Sequence, residues 1–124
     1  MTNSEDIIKQ MQQRIVAFND ARDWSQFHTP KDLALSLVLE AAEVLEHFQW
    51  KNEAEMREHL KNNKKEVGEE LCDSLYWILL MAHYFDIDLL KAFEEKMQQN
   101  EAKYPIEKAK GSHKKYTEYQ EEAA

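Results

Sequence analysis

Two segments of this 124-residue chain are more apolar than a surface helix can be. In residues 33–45, ten of thirteen are apolar, the exceptions being Ser36, Glu40 and Glu43; in residues 71–82, ten of twelve are, the exceptions being Asp73 and Ser74. A helix that is apolar nearly all round is a buried one, so these segments predict the centre of the fold. Each also brings two acids three residues apart: Glu40 with Glu43, and Glu70 with Asp73. Residues three apart on a helix share a face, about 4.5 Å apart along the axis. If the two helices pack antiparallel, four carboxylates can converge on one spot.

The remaining chain also reads as helical. Two Gly and two Pro supply too few turn residues for an all-β fold. A first helix over residues 4–20 shows a one-sided stripe of Ile7, Ile8, Met11, Ile15 and Phe18. The stretch DWSQFHT (23–29) breaks the period, and Thr29-Pro30 reads as an N-cap followed by proline in the first turn. The second helix then spans residues 30–50. Polar residues 51–63 hold a short helix around 53–60. The third helix covers 64–85, with Asp86 or Asp88 ending it and capping a fourth over 89–104, which Pro105 stops. Residues from about 106 to 124 form a Lys-rich tail. The expectation is one all-α domain over residues 1–124, resembling a four-helix bundle, with the first and fourth helices outside or at a subunit contact.

Charge and composition narrow the partners. Hydrophobic residues at 43% beside 32% charged ones describe a globular chain rather than a disordered one. A formal net charge of −8 disfavours nucleic-acid backbone as a partner. Residues 96–116 run the other way, with six Lys against two Glu, and offer a local site for a small anion. One Cys, Cys72, excludes an internal disulfide. The N-terminal residues lack the apolar stretch of a signal peptide, and no apolar run approaches the roughly 20 residues of a membrane span. The expected setting is cytoplasmic.

Four carboxylates held together without partners are costly, because each loses hydration and like charges repel. They can take up protons, or a cation can sit among them. An all-oxygen ligand set suits Mg²⁺, Mn²⁺ or Ca²⁺. The bland alternative places the acids on a wet edge, paired with Lys. A di-iron bundle needs Glu-x-x-His on two helices; Val44 stands three before His47 and Leu80 three before His83, so that pattern is absent. With Gly68 and Gly111 as the only glycines, no phosphate-cradling Gly loop can form. A bound nucleotide would meet metal and side chains instead, with late lysines on phosphate and Trp24, Phe27, Trp50 or Trp77 stacking a base. Packing is the competing role for each tryptophan, and a surface position is the competing role for His28.

Four segments, RDWSQFHTPKDLALSLVLEAAEVLEHFQWK (22–51), EELCDSLYW (69–77), KMQQNEAKYP (96–105) and KKYTEY (114–119), together resemble the MazG-type all-α nucleotide pyrophosphohydrolases, in particular their dCTP pyrophosphatase branch. The resemblance implies that Glu40, Glu43, Glu70 and Asp73 bind Mg²⁺, with Mn²⁺ as a possible substitute, and form the catalytic centre. It implies base contacts from Trp24, His28 and Trp50, a position at Trp77 more often held by Tyr, and phosphate or base contacts from Lys96, Asn100, Lys115 and Tyr116. Leu39 stands where many such sequences have a further acid, and the dCTP branch likewise lacks that acid. The resemblance also implies dimers or tetramers whose subunits complete each other's sites.

The expected activity is hydrolysis of a deoxynucleoside triphosphate (dCTP, a modified dCTP or dATP) to the monophosphate and pyrophosphate, a house-cleaning role in the nucleotide pool. Glu46 or Glu69 is placed to assist the attacking water. The alternatives are a non-enzymatic helical interaction module and a carboxylate metal-binding protein without substrate.

Overall fold

Local signals set the helix boundaries. The computed structural model describes residues 4–113, 115, 117, 118 and 120, with side chains described from residue 7 onward. The described residues are helical with no strand. The first helix, α1, is Ser4–Ala21, followed by a 3₁₀ turn at Ser25–Phe27. Helix α2 is Pro30–Glu46, and the Thr29 hydroxyl accepts the Asp32 N–H at 3.2 Å to cap it. It stops short of residue 50 because its last turn tightens. The Phe48 N–H bonds to the Leu45 carbonyl at 2.9 Å and the His47 N–H to that of Val44 at 3.3 Å.

Helix α3, Glu53–Asn62, opens with a reciprocal capping box. Asn52 Oδ1 accepts the Glu55 N–H at 2.9 Å, and Glu55 Oε1 accepts the Asn52 N–H at 3.1 Å. Helix α4 is Lys64–Tyr84, and α5 is Leu89–Lys103, capped by the Asp88 carboxylate on the Lys91 N–H at 3.1 Å. A four-residue helix, α6, spans Ile106–Ala109 within the Lys-rich segment that the sequence marks as a tail. It is too short for periodicity to reveal.

A chain so poor in glycine still needs sharp helix ends, and aspartate makes them. Asp23 (φ 55°) and Asp86 (φ 54°) take the left-handed conformation just after α1 and α4. After α4 the Ile87 N–H returns to the Ala82 carbonyl at 2.9 Å and the Asp86 N–H to that of His83 at 3.2 Å. After α1 the same pair is Trp24 to Asn19 and Asp23 to Asp20, both at 3.1 Å. This is the Schellman arrangement, with Asp in the position usually held by Gly.

The chain divides into two compact units, Met1–Ile87 with α1–α4 and Asp88–Ala124 with α5 and α6. In the first unit α4 is the pillar, with α2, α1 and α3 packed against it. Leu33 of α2 and Leu79 and Leu80 of α4 are fully buried, joined in the core by Val67 and Ala82. Two amides tie α1 down. Gln12 donates to the Leu79 carbonyl at 2.9 Å, and the fully buried Asn19 donates to the Ile15 carbonyl and the Tyr76 hydroxyl.

The expectation that both apolar helices are buried all round is corrected for both: in the second half of α4 Leu79, Leu80 and Ala82 are buried but Leu75 and Ile78 are 38% and 37% exposed, and α2 is more open still. Leu35, Val38, Leu39 and Leu45 are 52–62% exposed. Helix α4 packs against one side of α2. Among the described residues no helix is long and apolar enough to cross a membrane.

Candidate functional site

Helices α2 and α4 bring the four predicted acids together. One carboxylate oxygen from each of Glu40, Glu43, Glu70 and Asp73 lies within 4.8 Å of all the others. The cluster is shallower than two interior helices suggested: Glu40 and Glu70 are half-buried and Asp73 is exposed. One oxygen of Glu40 and one of Glu70, Oε2 in each, is buried without a hydrogen-bond partner. None of the four acids is ion-paired with Lys or Arg among the described residues; Arg57 pairs with Glu53 on α3, at 3.1 Å.

Crowding shows in the electrostatics. Burial first, then a hydrogen bond to Glu43 and the charges of Glu43 and Asp73, push the Glu40 carboxyl above its ordinary range. Glu70 is raised to about 7 by hydrogen bonding with Glu43, then by burial and by the charges of Glu43, Asp73 and Glu40. A group of acids crowded enough to push Glu40 and Glu70 above the usual carboxylate range, with two buried oxygens unused, is the donor set a hard divalent cation requires. The residues present fit such an ion, and its arrival would displace the Glu70 proton.

Two further features adjoin this cluster in the first unit. A cleft of about 400 Å³ is lined by Glu43, Glu46, His47, His59 and Glu70. A row of ring contacts joins the start of α2 to α1 and α4. Trp24 meets Phe18 edge-on at 5.6 Å, Phe18 meets Tyr76 at 6.3 Å, Tyr76 meets Trp77 at 5.1 Å, and Trp77 meets His28 at 5.8 Å. His28 Nδ1 lies 3.2 Å from the Tyr84 hydroxyl, and burial lowers its pKa. Beside the row an apolar groove of about 430 Å³ is lined by Met11, Arg14, Ile15, Phe18 and Tyr76.

A profile of the MazG-like family matches residues 35–119. The chain belongs to the MazG-like family. Similar proteins include dCTP pyrophosphatase 1 of Rattus norvegicus, 40% identical over 103 residues, covering 82% of this chain and 61% of that protein. The protein of the same name from Bos taurus is 35% identical over 118 residues, covering 94% of this chain and 70% of that protein. The chain thus spans about three-fifths of the length of the first of these relatives. Among solved structures, the crystal structure of a pyrophosphatase from Archaeoglobus fulgidus superposes with a TM-score of 0.76 at 37% identity, covering 85% of this chain and 98% of that one.

In this MazG-like chain the residues expected to contact nucleotide fall in different places. Trp24, His28 and Trp77 join the aromatic row, and Trp77 follows Asp73 by one helical turn. Trp50 stands in the turn after α2, 87% exposed and outside any ring contact among the described residues. Lys96 and Asn100 lie on α5, and Lys115 follows α6, all in the second unit. Tyr116 lies outside the described residues. The sequence reading missed His59 and the ring partners Phe18, Tyr76 and Tyr84. The placement of His59 depends on how α3 folds back, which the polar composition of residues 51–63 does not encode. Ring pairing depends on which faces of α1 and α4 meet.

Proposed function

We propose that this chain is a divalent-metal-dependent pyrophosphohydrolase acting on a deoxynucleoside triphosphate of the dCTP kind. The observation that carries this reading is the meeting of four carboxylates from two helices, with buried unpartnered oxygens on Glu40 and Glu70. Family membership and the relatives named for dCTP pyrophosphatase activity support the substrate class.

Glu40, Glu43, Glu70 and Asp73 would hold Mg²⁺, with Mn²⁺ able to replace it. When bound, the cation supplies positive charge that offsets charge on the triphosphate and on the pyrophosphate leaving group. Water attacks the α-phosphorus in line, forming one P–O bond as the bond from that phosphorus to the α,β-bridging oxygen breaks. The products are the nucleoside monophosphate and pyrophosphate. Glu46, which lines the cleft beside Glu43 and Glu70, is the carboxylate left to take the proton of that water. Glu69 does not line the cleft, so it is the weaker candidate of the two. The base lies against the aromatic row of Trp24, His28 and Trp77.

A second copy of the chain covers the exposed face of α2, and Trp50 is presented to that copy. The support is the four exposed large apolar residues on α2 and the 87% exposed indole. The cellular role is removal of surplus or modified dCTP-like nucleotides in the cytoplasm.

Incubating the protein with each dNTP and Mg²⁺ and measuring pyrophosphate tests the reading. Release from dCTP at the highest kcat/KM, abolished by Glu40→Gln, is the expected result. No release from any dNTP would leave a metal-binding or interaction module.

A further inference from the structure

The cleft beside the carboxylates holds a pair of histidines in hydrogen-bond contact. His47 Nδ1, just past the end of α2, lies 2.7 Å from His59 Nε2 on α3. Asn63, which ends α3, completes the chain. Its side-chain nitrogen lies 3.1 Å from the His59 carbonyl oxygen and 3.2 Å from His59 Nδ1.

This chain of contacts fixes where the protons are. A carbonyl oxygen can only accept, so the NH₂ end of Asn63 faces it, and the second hydrogen of that NH₂ faces His59 Nδ1. His59 Nδ1 is therefore the bare nitrogen, and its ring carries its proton on Nε2. That proton is donated to His47 Nδ1, which leaves the His47 proton on Nε2. Burial first, then the charge of Lys51, push the His59 pKa below its ordinary value, in keeping with a neutral ring. Nothing among the described residues accepts from His47 Nε2, and His47 lines the cleft with Glu43, Glu46, His59 and Glu70.

We propose that His47 donates its Nε2–H to a phosphate oxygen of the bound nucleotide, and that His59 and Asn63 are positioning residues that keep the proton on that nitrogen. The inference rests on the nucleotide reading above and adds a substrate contact to it. A triphosphate presents acceptors only, and once a bound cation has displaced the Glu70 proton the three carboxylates of the cleft wall would be acceptors too. Of the five lining residues only His47 has a donor to spare, because the His59 proton is already used. A protonated Nε2 also has no lone pair for a metal. The ring therefore contacts the anion and leaves the cation to oxygen ligands.

The experiment combines ¹⁵N NMR of the histidine rings with steady-state kinetics. In the wild type both His47 and His59 should show the Nε2–H tautomer; an Nδ1–H tautomer at either would overturn the relay. His47→Gln keeps an N–H donor near the Nε2 position, whereas His47→Asn keeps an acceptor near Nδ1 and loses the donor. Loss of a hydrogen bond to a charged group predicts a fall of about 10- to 100-fold in kcat/KM for His47→Asn. His47→Gln should retain most of the activity, with Mn²⁺ affinity in the absence of nucleotide unchanged in both variants. His59→Phe should shift the His47 tautomer and lower kcat/KM with it. Unchanged kinetics in folded His47→Asn, or equal losses in the Asn and Gln variants, would overturn the phosphate contact while leaving pyrophosphate release by the wild type standing. A wild type that releases no pyrophosphate from any dNTP would end both readings.

Discussion

Helices α2 and α4 are close to equals in sequence and unequal in surroundings. Each contributes an acid pair to one cluster, and each is mostly apolar over a dozen residues. Helix α4 buries Val67, Leu79, Leu80 and Ala82 against its neighbours, whereas α2 buries Leu33 and leaves Leu35, Val38, Leu39 and Leu45 more than half exposed. Apolar content therefore measures how much surface needs covering and says nothing of what covers it. For α4 the cover comes from α1, α2 and α3; for the outer side of α2 we propose a second copy of the chain.

The largest expected difference between the helices is in stability. Leu80→Ala removes a fully buried side chain and should cost about 2–5 kcal/mol. Leu39→Ala, at a site 57% exposed, should cost under about 1 kcal/mol when denaturant unfolding is measured on dilute protein. Equal costs would mean that α2 is covered as fully as α4. Next in size is association. Val38→Lys with Leu39→Lys should lower the mass seen by sedimentation equilibrium while circular dichroism keeps its helical signal. An unchanged mass would remove the second copy from that face.

A smaller effect should appear with pH. The folded pKa of Glu70 is raised to about 7 from an ordinary value of 4.5. The native state thus holds a proton that the unfolded chain releases, and stability is lost as pH rises from about 4.5 through about 7. Without metal, the melting temperature should fall across that window, and Glu70→Gln should flatten the fall. Saturating Mg²⁺ should raise the melting temperature more at pH 8 than at pH 6, because binding displaces the proton. A wild-type slope matched by the variant would put the titration elsewhere. The smallest effect belongs to the helix ends. Helix α4 stops on a left-handed Asp86, whereas α2 stops by tightening its last turn. Asp86→Val should destabilise by about 1–2 kcal/mol, and Asp86→Gly should be neutral or slightly stabilising in thermal unfolding.

Much of this was legible in the residues because it is locally encoded. Thr29 and Asp88 each sit where a side-chain oxygen can cap the next helix, and Pro105 marks the stop of α5. The convergence of Glu40, Glu43, Glu70 and Asp73 followed from two three-residue spacings on adjacent apolar helices. What could not be read depends on long-range placement. The depth of the acids, the open face of α2 and the approach of His59 to His47 are set by how helices cross, and one strand of sequence carries no record of it. The left-handed aspartates were half legible: Asp86 was singled out as a helix end, but Asp23 gave no sign beyond a broken period.

The central claim is that these four carboxylates hold a divalent cation, and titration with Mn²⁺, followed by the electron paramagnetic resonance of the free ion, tests it most directly. The wild type should bind Mn²⁺ in competition with Mg²⁺, and Glu40→Gln combined with Asp73→Asn should weaken binding by about 100-fold or more with the helical signal intact. A folded double variant that binds Mn²⁺ as the wild type does would contradict it.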